Sequence, residues 1–463
     1  MTDPRVWLAI AATMPAAIIL LTLAPVDVER LRRFAVGAAV AMLAATIEVA
    51  TLPHTIAIRE SALTWAAGGE ALLRVDGLSS VLLPLAAGLW LLTVAVTPRA
   101  SLDRAGLRRT ALATLVTLAS FLTESAVVLL ALSVASLWTF IAALDAHNYQ
   151  RRIVAAYLGT STALFGVGVA LLIAPHARGT WWDTAALWII AVAALLRKGI
   201  FPFHAWVPEL FDHGRLGPAI LYSAPQVGAY MAVVLIVPRA SPELLRLIAI
   251  LALATSVYGA ALALVQTSAR RACGYLFISQ SALVLAGLDC TSRGALAGGL
   301  IVWLSAGLAF AGLARCVLVL EARRGHLDLS AYHGGYDRTP LLAISFLTMG
   351  LACTGFPGTL GFVGQELLVS GAVDAFPVMG FAIVAASALT GLAVLRMYFS
   401  LFCGRRDVFA HSALRFELTR REAWTFIALV VTLIGLGIAP RPLVDSRLAA
   451  SDTILKMRSF LHQ

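Results

Sequence analysis

Apolar residues along this chain gather into long continuous runs. Stretches of about 18–20 residues, the length of helix that crosses a bilayer's hydrocarbon core, recur from end to end, separated by short polar connections. Roughly fourteen spans are predicted this way, near 6–24, 34–52, 78–97, 108–123, 125–144, 154–174, 184–203, 216–238, 243–264, 272–289, 294–320, 340–372 (broken), 376–402 and 423–440. The longest polar stretches, around Arg323–Arg338 and Arg405–Arg421, are too short to bury a core of their own. The first apolar run lacks a basic segment before it and a small-residue cleavage site after it, so it reads as a retained helix. The pattern predicts an all-α polytopic membrane protein, with residues 1–463 as a single membrane domain.

Composition agrees: 60% of residues are hydrophobic and only 13% charged, with a mean hydropathy of +0.87. Soluble domains carry about a quarter charged residues. The formal charge of +10 invites a nucleic-acid reading, but the arginines are distributed by side. Connections after the odd spans hold Arg30, Arg32, Arg33, Arg104, Arg108, Arg109, Arg151, Arg152, Arg270, Arg271, Arg323, Arg324, Arg405 and Arg406. Connections on the opposite side carry few: Arg59, Arg74, Arg178, Arg239, Arg246 and Arg293. This is the positive-inside bias, which places both termini on the outer side. Nucleic acid is not an expected partner; the lipid bilayer is. Cys273, Cys290, Cys316, Cys353 and Cys403 lie singly, without disulfide or metal-ligand spacing. No catalytic signature, cofactor motif or nucleotide loop is present in the sequence.

Two spans contain breaks. Leu195–His204 sets Arg197 and Lys198 against a Gly199…Pro202 interruption, and Gly355–Phe362 interrupts an apolar segment around Pro357. In both, Phe-Pro precedes Glu-Leu by two to three turns, at Glu209-Leu210 and Glu366-Leu367. Paired Gly/Pro-interrupted segments point to a transporter built from repeats, with discontinuous helices near the ion path. Two ordinary proline kinks are the plainer alternative.

An ionisable side chain at the bilayer centre costs at least ~2.5–3.5 kcal/mol, so each needs a reason. Lys198 and Lys456 are the chain's only lysines. Lysine changes its proton affinity readily on burial and arginine hardly does, so Lys198 reads as a titrating relay with Arg197 as a fixed modulator. Snorkelling of both to the interface is the competing reading. Gln226 follows Pro225 in mid-span with Tyr222 a turn earlier; Arg315 lies within Leu308–Leu320; Glu366 follows the second break. Glu48, Arg396 and His204 read as interfacial or structural.

Specific strings resemble one family. Arg74–Ser79 resembles the RVDGLS entry to span 3 of the antiporter-like subunits of complex I, Mrp antiporters and group 4 hydrogenases. Phe201–Pro208 is similar to their PFHxWxP signature, and Gln266–Gln280 to the segment leading into a later span. Pro357–Gly364 resembles their broken span 12, and Arg396–Phe399 their RMYF. The matches run in order from about residue 70 to residue 405.

The resemblance implies fourteen transmembrane helices with two inverted five-helix repeats, spans 4–8 and 9–13, and breaks in spans 7 and 12. It divides the chain into spans 1–3 (1–107), a first repeat (108–238), a second (243–402) and a last helix with a short tail (423–463). It also implies a bacterial inner (cytoplasmic) membrane, other membrane subunits, a peripheral module, and a proton path of Lys, Glu and His. Carried over residue by residue, that path is altered. The glutamate of span 5 falls on Ser133-Val134; the lysine of span 7 falls on Arg197, with Lys198 one residue later. Gln226 stands near a lysine or histidine position, Ala311 near another lysine with Arg315 a turn on, and Gln365 or Glu366 at the charged position of span 12. The ion-path candidates are therefore Arg197, Lys198, Gln226, Arg315, Gln365 and Glu366, with Pro202 and Pro357 at the breaks. Three functions remain open: an antiporter-like subunit contributing to proton or cation translocation or its coupling, the membrane subunit of a two-component inorganic-carbon uptake system, and a structural subunit that anchors a peripheral module without moving ions. The first would belong to an NADH-quinone oxidoreductase-like or hydrogenase-like complex.

Overall fold

The computed structural model describes residues 4–51, 65–67, 70–98, 101–142, 144, 148–174, 181–287, 292–404 and 418–461. Arg59, Arg178, Cys290, Arg405 and Arg406 lie outside the described residues. Among the described residues the chain is helical, in keeping with the all-α expectation, apart from one short two-stranded antiparallel hairpin, β1 (Trp65–Ala67) with β2 (Glu70–Leu73). Among the described residues eight helices are long and apolar enough to cross a bilayer, and Arg5–Leu21, Ala126–Ala142 and Pro340–Cys353 are shorter apolar helices. The protein is a multi-pass membrane protein.

The chain folds as two compact units. The first comprises residues 1–198, 221–246 and 449–463. It contains α1 (Pro4–Leu21), α2 (Val28–Thr51), α3 (Ser79–Val96), α4 (Arg104–Phe121), α5 (Ala126–Ala142), α6 (Asn148–Ile173) and α7 (Trp181–Lys198). Local chemistry sets the starts. Asp76 and Ser79 cap α3 reciprocally, the Ser79 amide donating to Asp76 Oδ1 at 2.7 Å and the Asp76 amide to Ser79 Oγ at 2.8 Å; Asp103 accepts from the Gly106 amide at the start of α4. At one end of this unit, Arg104 from the connection after α3 donates to the Ala24 carbonyl after α1 (3.0 Å), and Arg109 reaches the Ala142 carbonyl closing α5 (3.1 Å). The connections that carry many arginines therefore meet at the same end.

The second unit comprises residues 199–220 and 247–448. It holds α8 (Trp206–His213), most of α11 (Pro242–Val265), α12 (Ala269–Ala286), α13 (Arg293–Arg324), α14 (Pro340–Cys353), α15 (Leu360–Ala375), α16 (Pro377–Phe402) and α17 (Arg420–Ile438). α13 is its central post, buried almost along its full length. Its backbone meets α15 directly: a Cβ on Gly298 would overlap the Leu368 amide nitrogen, and one on Gly371 would lie 2.5 Å from that of Ala295. Small residues bring helices this close where lipid gives little hydrophobic drive for association. Arg323 donates to the Glu422 carboxylate at 2.6 Å, tying α13 to the capping box that starts α17.

Both predicted breaks are present. α7 stops at Lys198, Gly199 takes a left-handed conformation (φ 72°), and the chain passes a cis Phe201–Pro202 bond before α8. α14 and α15 are separated by Thr354–Thr359, with Gly355 at φ 74° and Gly358 at φ 85°. A third break was not expected. The span near 216–238, read as continuous, is α9 (Leu216–Ser223), a turn with Gln226 at φ 56°, α10 (Val227–Met231) and a π-helical segment over Ala232–Ile236. Pro225 lacks the amide hydrogen that a continuous helix needs. The short tail is itself a helix, α18 (Arg441–Leu461).

Candidate ion path

In the first unit Arg197 and Lys198, the last two residues of α7, are both buried, at 8% and 4% exposure. Neither reaches an aqueous surface as snorkelling requires. Arg197 Nη2 donates to Ser136 Oγ on α5, and its guanidinium lies over the Phe140 ring at 5.8 Å. Hydroxyl and ring take the places where a counter-ion is expected. The residue opposite Arg197 is therefore Ser136, one turn past Ser133; Val134 points outward at 56% exposure. Ser133 Oγ is buried without a hydrogen-bond partner among the described residues.

Lys198 Nζ donates to Gln226 Oε1. The break in the predicted span 8 makes this possible, because the left-handed Gln226 closes a turn between α9 and α10. Gly228 lets α10 approach: a Cβ there would lie 3.1 Å from Lys198 Cγ and 3.2 Å from the Ala194 carbonyl oxygen. Gln226 Nε2 is buried and unpartnered among the described residues. Lysine is the member of this group that can give up and regain a proton; the guanidinium holds its own.

The second unit carries a different arrangement, neutral and hydrogen-bonded throughout. Ser387 Oγ on α16 donates to Gln365 Oε1 (2.9 Å), and Gln365 Nε2 donates to the Cys353 carbonyl at the end of α14 (3.1 Å) and reaches Gln280 Oε1 on α12 (3.5 Å). Gln280 Nε2 donates to Thr390 Oγ1 (3.0 Å), which lies 3.4 Å from Ser279 Oγ; Ser279 in turn lies 3.5 Å from Ser256 Oγ on α11. Gln365 is thus the inward group at span 12. Glu366 is exposed and joins nothing here. Arg315 is fully buried on α13 and donates to the Gly217 carbonyl at 2.9 Å. Arg396 caps the end of α11 through the Leu264 and Gln266 carbonyls. His204 packs against Phe201 and Tyr258. Pro202 and Pro357 lie in the breaks they were assigned to.

Sequence reasoning passed over Ser136, Ser279, Gln280, Ser387 and Thr390. Hydroxyls and amides are common in membrane helices, and only the fold shows which of them face one another. The broken helices packed around buried polar side chains have the architecture of an antiporter-like membrane protein. A family described as "NADH:quinone oxidoreductase/Mrp antiporter, TM" matches residues 153–390, just over half the chain, and the chain belongs to that family. NADH-quinone oxidoreductase subunit M of Buchnera aphidicola is 28% identical over 283 residues, covering 57% of this chain and 54% of the relative. Subunit N of Rhodococcus opacus is 29% identical, covering 62% and 54%. The chain thus spans about half the length of the relatives it matches. In overall fold it is similar to a chain of respiratory complex I from Thermus thermophilus (TM-score 0.83, 20% identity, 97% of this chain and 99% of that one). It is likewise similar to a chain of the Mrp complex from Dietzia sp. (TM-score 0.87, 17% identity, 100% and 99%).

Proposed function

We propose that this chain is a membrane subunit of a multisubunit ion-translocating complex, and that its first half carries protons through Lys198. The observation that carries the reading is the buried contact of Lys198 Nζ with Gln226 Oε1 between two helix breaks, beside the hydroxyl-paired Arg197. A buried amine held by an amide oxygen is poised to release its proton when a neighbouring charge moves. The second half, with amides and hydroxyls in place of lysines, serves as a hydrogen-bonded relay without a titrating side chain of its own. Family membership and relatives named as NADH-quinone oxidoreductase subunits favour this over inorganic-carbon uptake or pure anchoring. The assembly supplies other membrane subunits and a peripheral energy source, in a bacterial inner membrane.

Fourteen membrane crossings follow if α7 with α8, α9 with α10, and α14 with α15 each count as one and α18, which lines the cavity at one end, is left out as a non-crossing helix. The division into 1–107, two inverted repeats over 108–238 and 243–402, and 423–463 is part of the same proposal. The breaks after α7 and after α14 support it, since each puts a left-handed glycine and a Phe-Pro pair at the corresponding place.

Two measurements test it. The complex is purified from native membranes in mild detergent and its partners identified; redox or Mrp-type subunits are expected, and a chain that purifies alone sinks the subunit reading. Proton flux is then followed in vesicles with Lys198→Ala and Lys198→Arg. Arginine keeps the charge but does not release its proton, so both variants are expected to lose flux by about a hundredfold. Full flux in Lys198→Arg would rule out a titrating role for Lys198.

A further inference from the structure

Within the first unit, the connections that carry few arginines meet at one end around a cavity of about 230 Å³. Its walls include Asp76 and Leu78 before α3, Glu124 between α4 and α5, and Pro238 and Arg239 after the π-helical segment; Thr453, Ile454 and Met457 of α18 roof it. Glu124 accepts from Arg74 Nη1 at 3.3 Å. Asp76 is already committed to capping α3, and Arg239 donates to the Val234 and Leu235 carbonyls. Glu124 is therefore the carboxylate in this cavity whose fixed partner is a single, part-exposed guanidinium.

Tyr230 lies between the Gln226 turn and the backbone just before Glu124. Its backbone amide lies one helical turn beyond Gln226, bonding to that residue's carbonyl at 3.3 Å. Its buried hydroxyl donates to the Phe121 and Thr123 carbonyls at 3.1 and 3.2 Å, immediately before Glu124. Tyr230 thus reaches from the turn at Gln226, whose side chain holds Lys198, to the backbone that leads into Glu124, and Gln226 Nε2 is buried without a partner among the described residues.

We propose that Glu124 exchanges protons between the Lys198 path and the water on the arginine-poor face, through the cavity beneath α18. The proposal rests on the proton-carrying reading of Lys198. The ammonium of Lys198 gives up a proton that passes by water and the Tyr230 hydroxyl to the Glu124 carboxylate; the resulting acid releases it to water in the cavity. Reversal of every step carries protons the other way. Burial pushes the Glu124 carboxyl above the ordinary glutamate range; Arg74 opposes that most strongly, Asp76 adds to it and Arg239 opposes it. The cavity-lining residues of α18 carry no charge.

The test is proton flux in proteoliposomes of the purified full assembly, read with an entrapped pH dye while pH on the arginine-poor face is varied. Glu124→Gln and the cavity-filling Met457→Trp are expected to lower flux about tenfold or more, with Glu124→Asp retaining most of it. Arg74→Gln removes the strongest opposing charge, so the midpoint of flux against that pH should move upward. The same substitution in Glu124→Gln should move nothing. A purely structural Arg74–Glu124 pair would lower flux equally at all pH and leave the midpoint in place, which overturns the proposal. Loss of flux in Lys198→Ala with full flux in Glu124→Gln and Met457→Trp overturns it alone and leaves Lys198 standing. Lys198→Ala equal to the unsubstituted protein removes both readings.

Discussion

Arg197 has no acidic partner among the described residues, and its burial is sustained by the Ser136 hydroxyl and the Phe140 ring. A hydrogen bond to a charged group contributes about 1.5–3 kcal/mol, more than one between neutral groups. Ser136→Ala is therefore expected to lower the thermal midpoint in detergent clearly. Ser133→Ala, one turn earlier, removes a buried hydroxyl that has no partner among the described residues and should leave the midpoint nearly unchanged. Equal midpoints for the two would show that the guanidinium does not depend on Ser136. Arg197 and Lys198 stood out in the sequence because charge inside an apolar run is costly. Their partners did not. Ser136 is an ordinary residue in a helix of small and apolar ones, and the family position for a carboxylate, Ser133-Val134, falls one turn short of the residue that faces Arg197. At span 12 the sequence left Gln365 and Glu366 equivalent. Helical rotation separates them, because neighbours about 100° apart around the axis cannot both point inward.

At the scale of elements, the breaks are where chain direction and polar chemistry meet. Gly355 adopts φ 74°, and a Cβ there would collide with Gln365 Oε1. Gly355→Ala must therefore adopt a left-handed conformation at a cost of roughly 1–2 kcal/mol and also expel the amide that links Ser387, Cys353 and Gln280. A fall in thermal midpoint is expected, larger than that of Gly358→Ala in the same break, whose φ of 85° is similar but whose Cβ would meet nothing within 4 Å. If the two fall equally, Gln365 packing contributes nothing at this break. Breaks in spans 7 and 12 were legible because glycine and proline cluster there against apolar flanks. The break at Gln226 was not, because Pro225 alone reads as a kink and the left-handed residue is a glutamine. The helix α18 was also missed: Arg441, Asp445, Arg447, Asp452, Lys456 and Arg458 spread charge along its run, so a search for apolar spans passes over it.

For the whole molecule, the arginine distribution sorts the connections into two sets, and the fold of the first unit groups its own connections the same way by an independent route. Arg104 and Arg109 bind carbonyls at the ends of α1 and α5, so the connections 1–2, 3–4 and 5–6 share one end. Asp76, Glu124, Arg239 and α18 surround one cavity, so the entry to α3, the connection 4–5, the turn before α11 and the last helix share the other. This alternation is what successive membrane crossings require, and the arginine bias gives it a direction. Exposed residues in two connections report it: Ser101 before α4 and Glu243 at the start of α11. In a cysteine-free background, Glu243→Cys is expected to react in intact cells with a membrane-impermeant maleimide, and Ser101→Cys only after the membrane is opened. The reverse pattern would invert the molecule and place the Glu124 cavity on the cytoplasmic face, turning the release end of the proposed path into its entry. Labelling of both from one side would break the alternation itself, and with it the count of crossings between them.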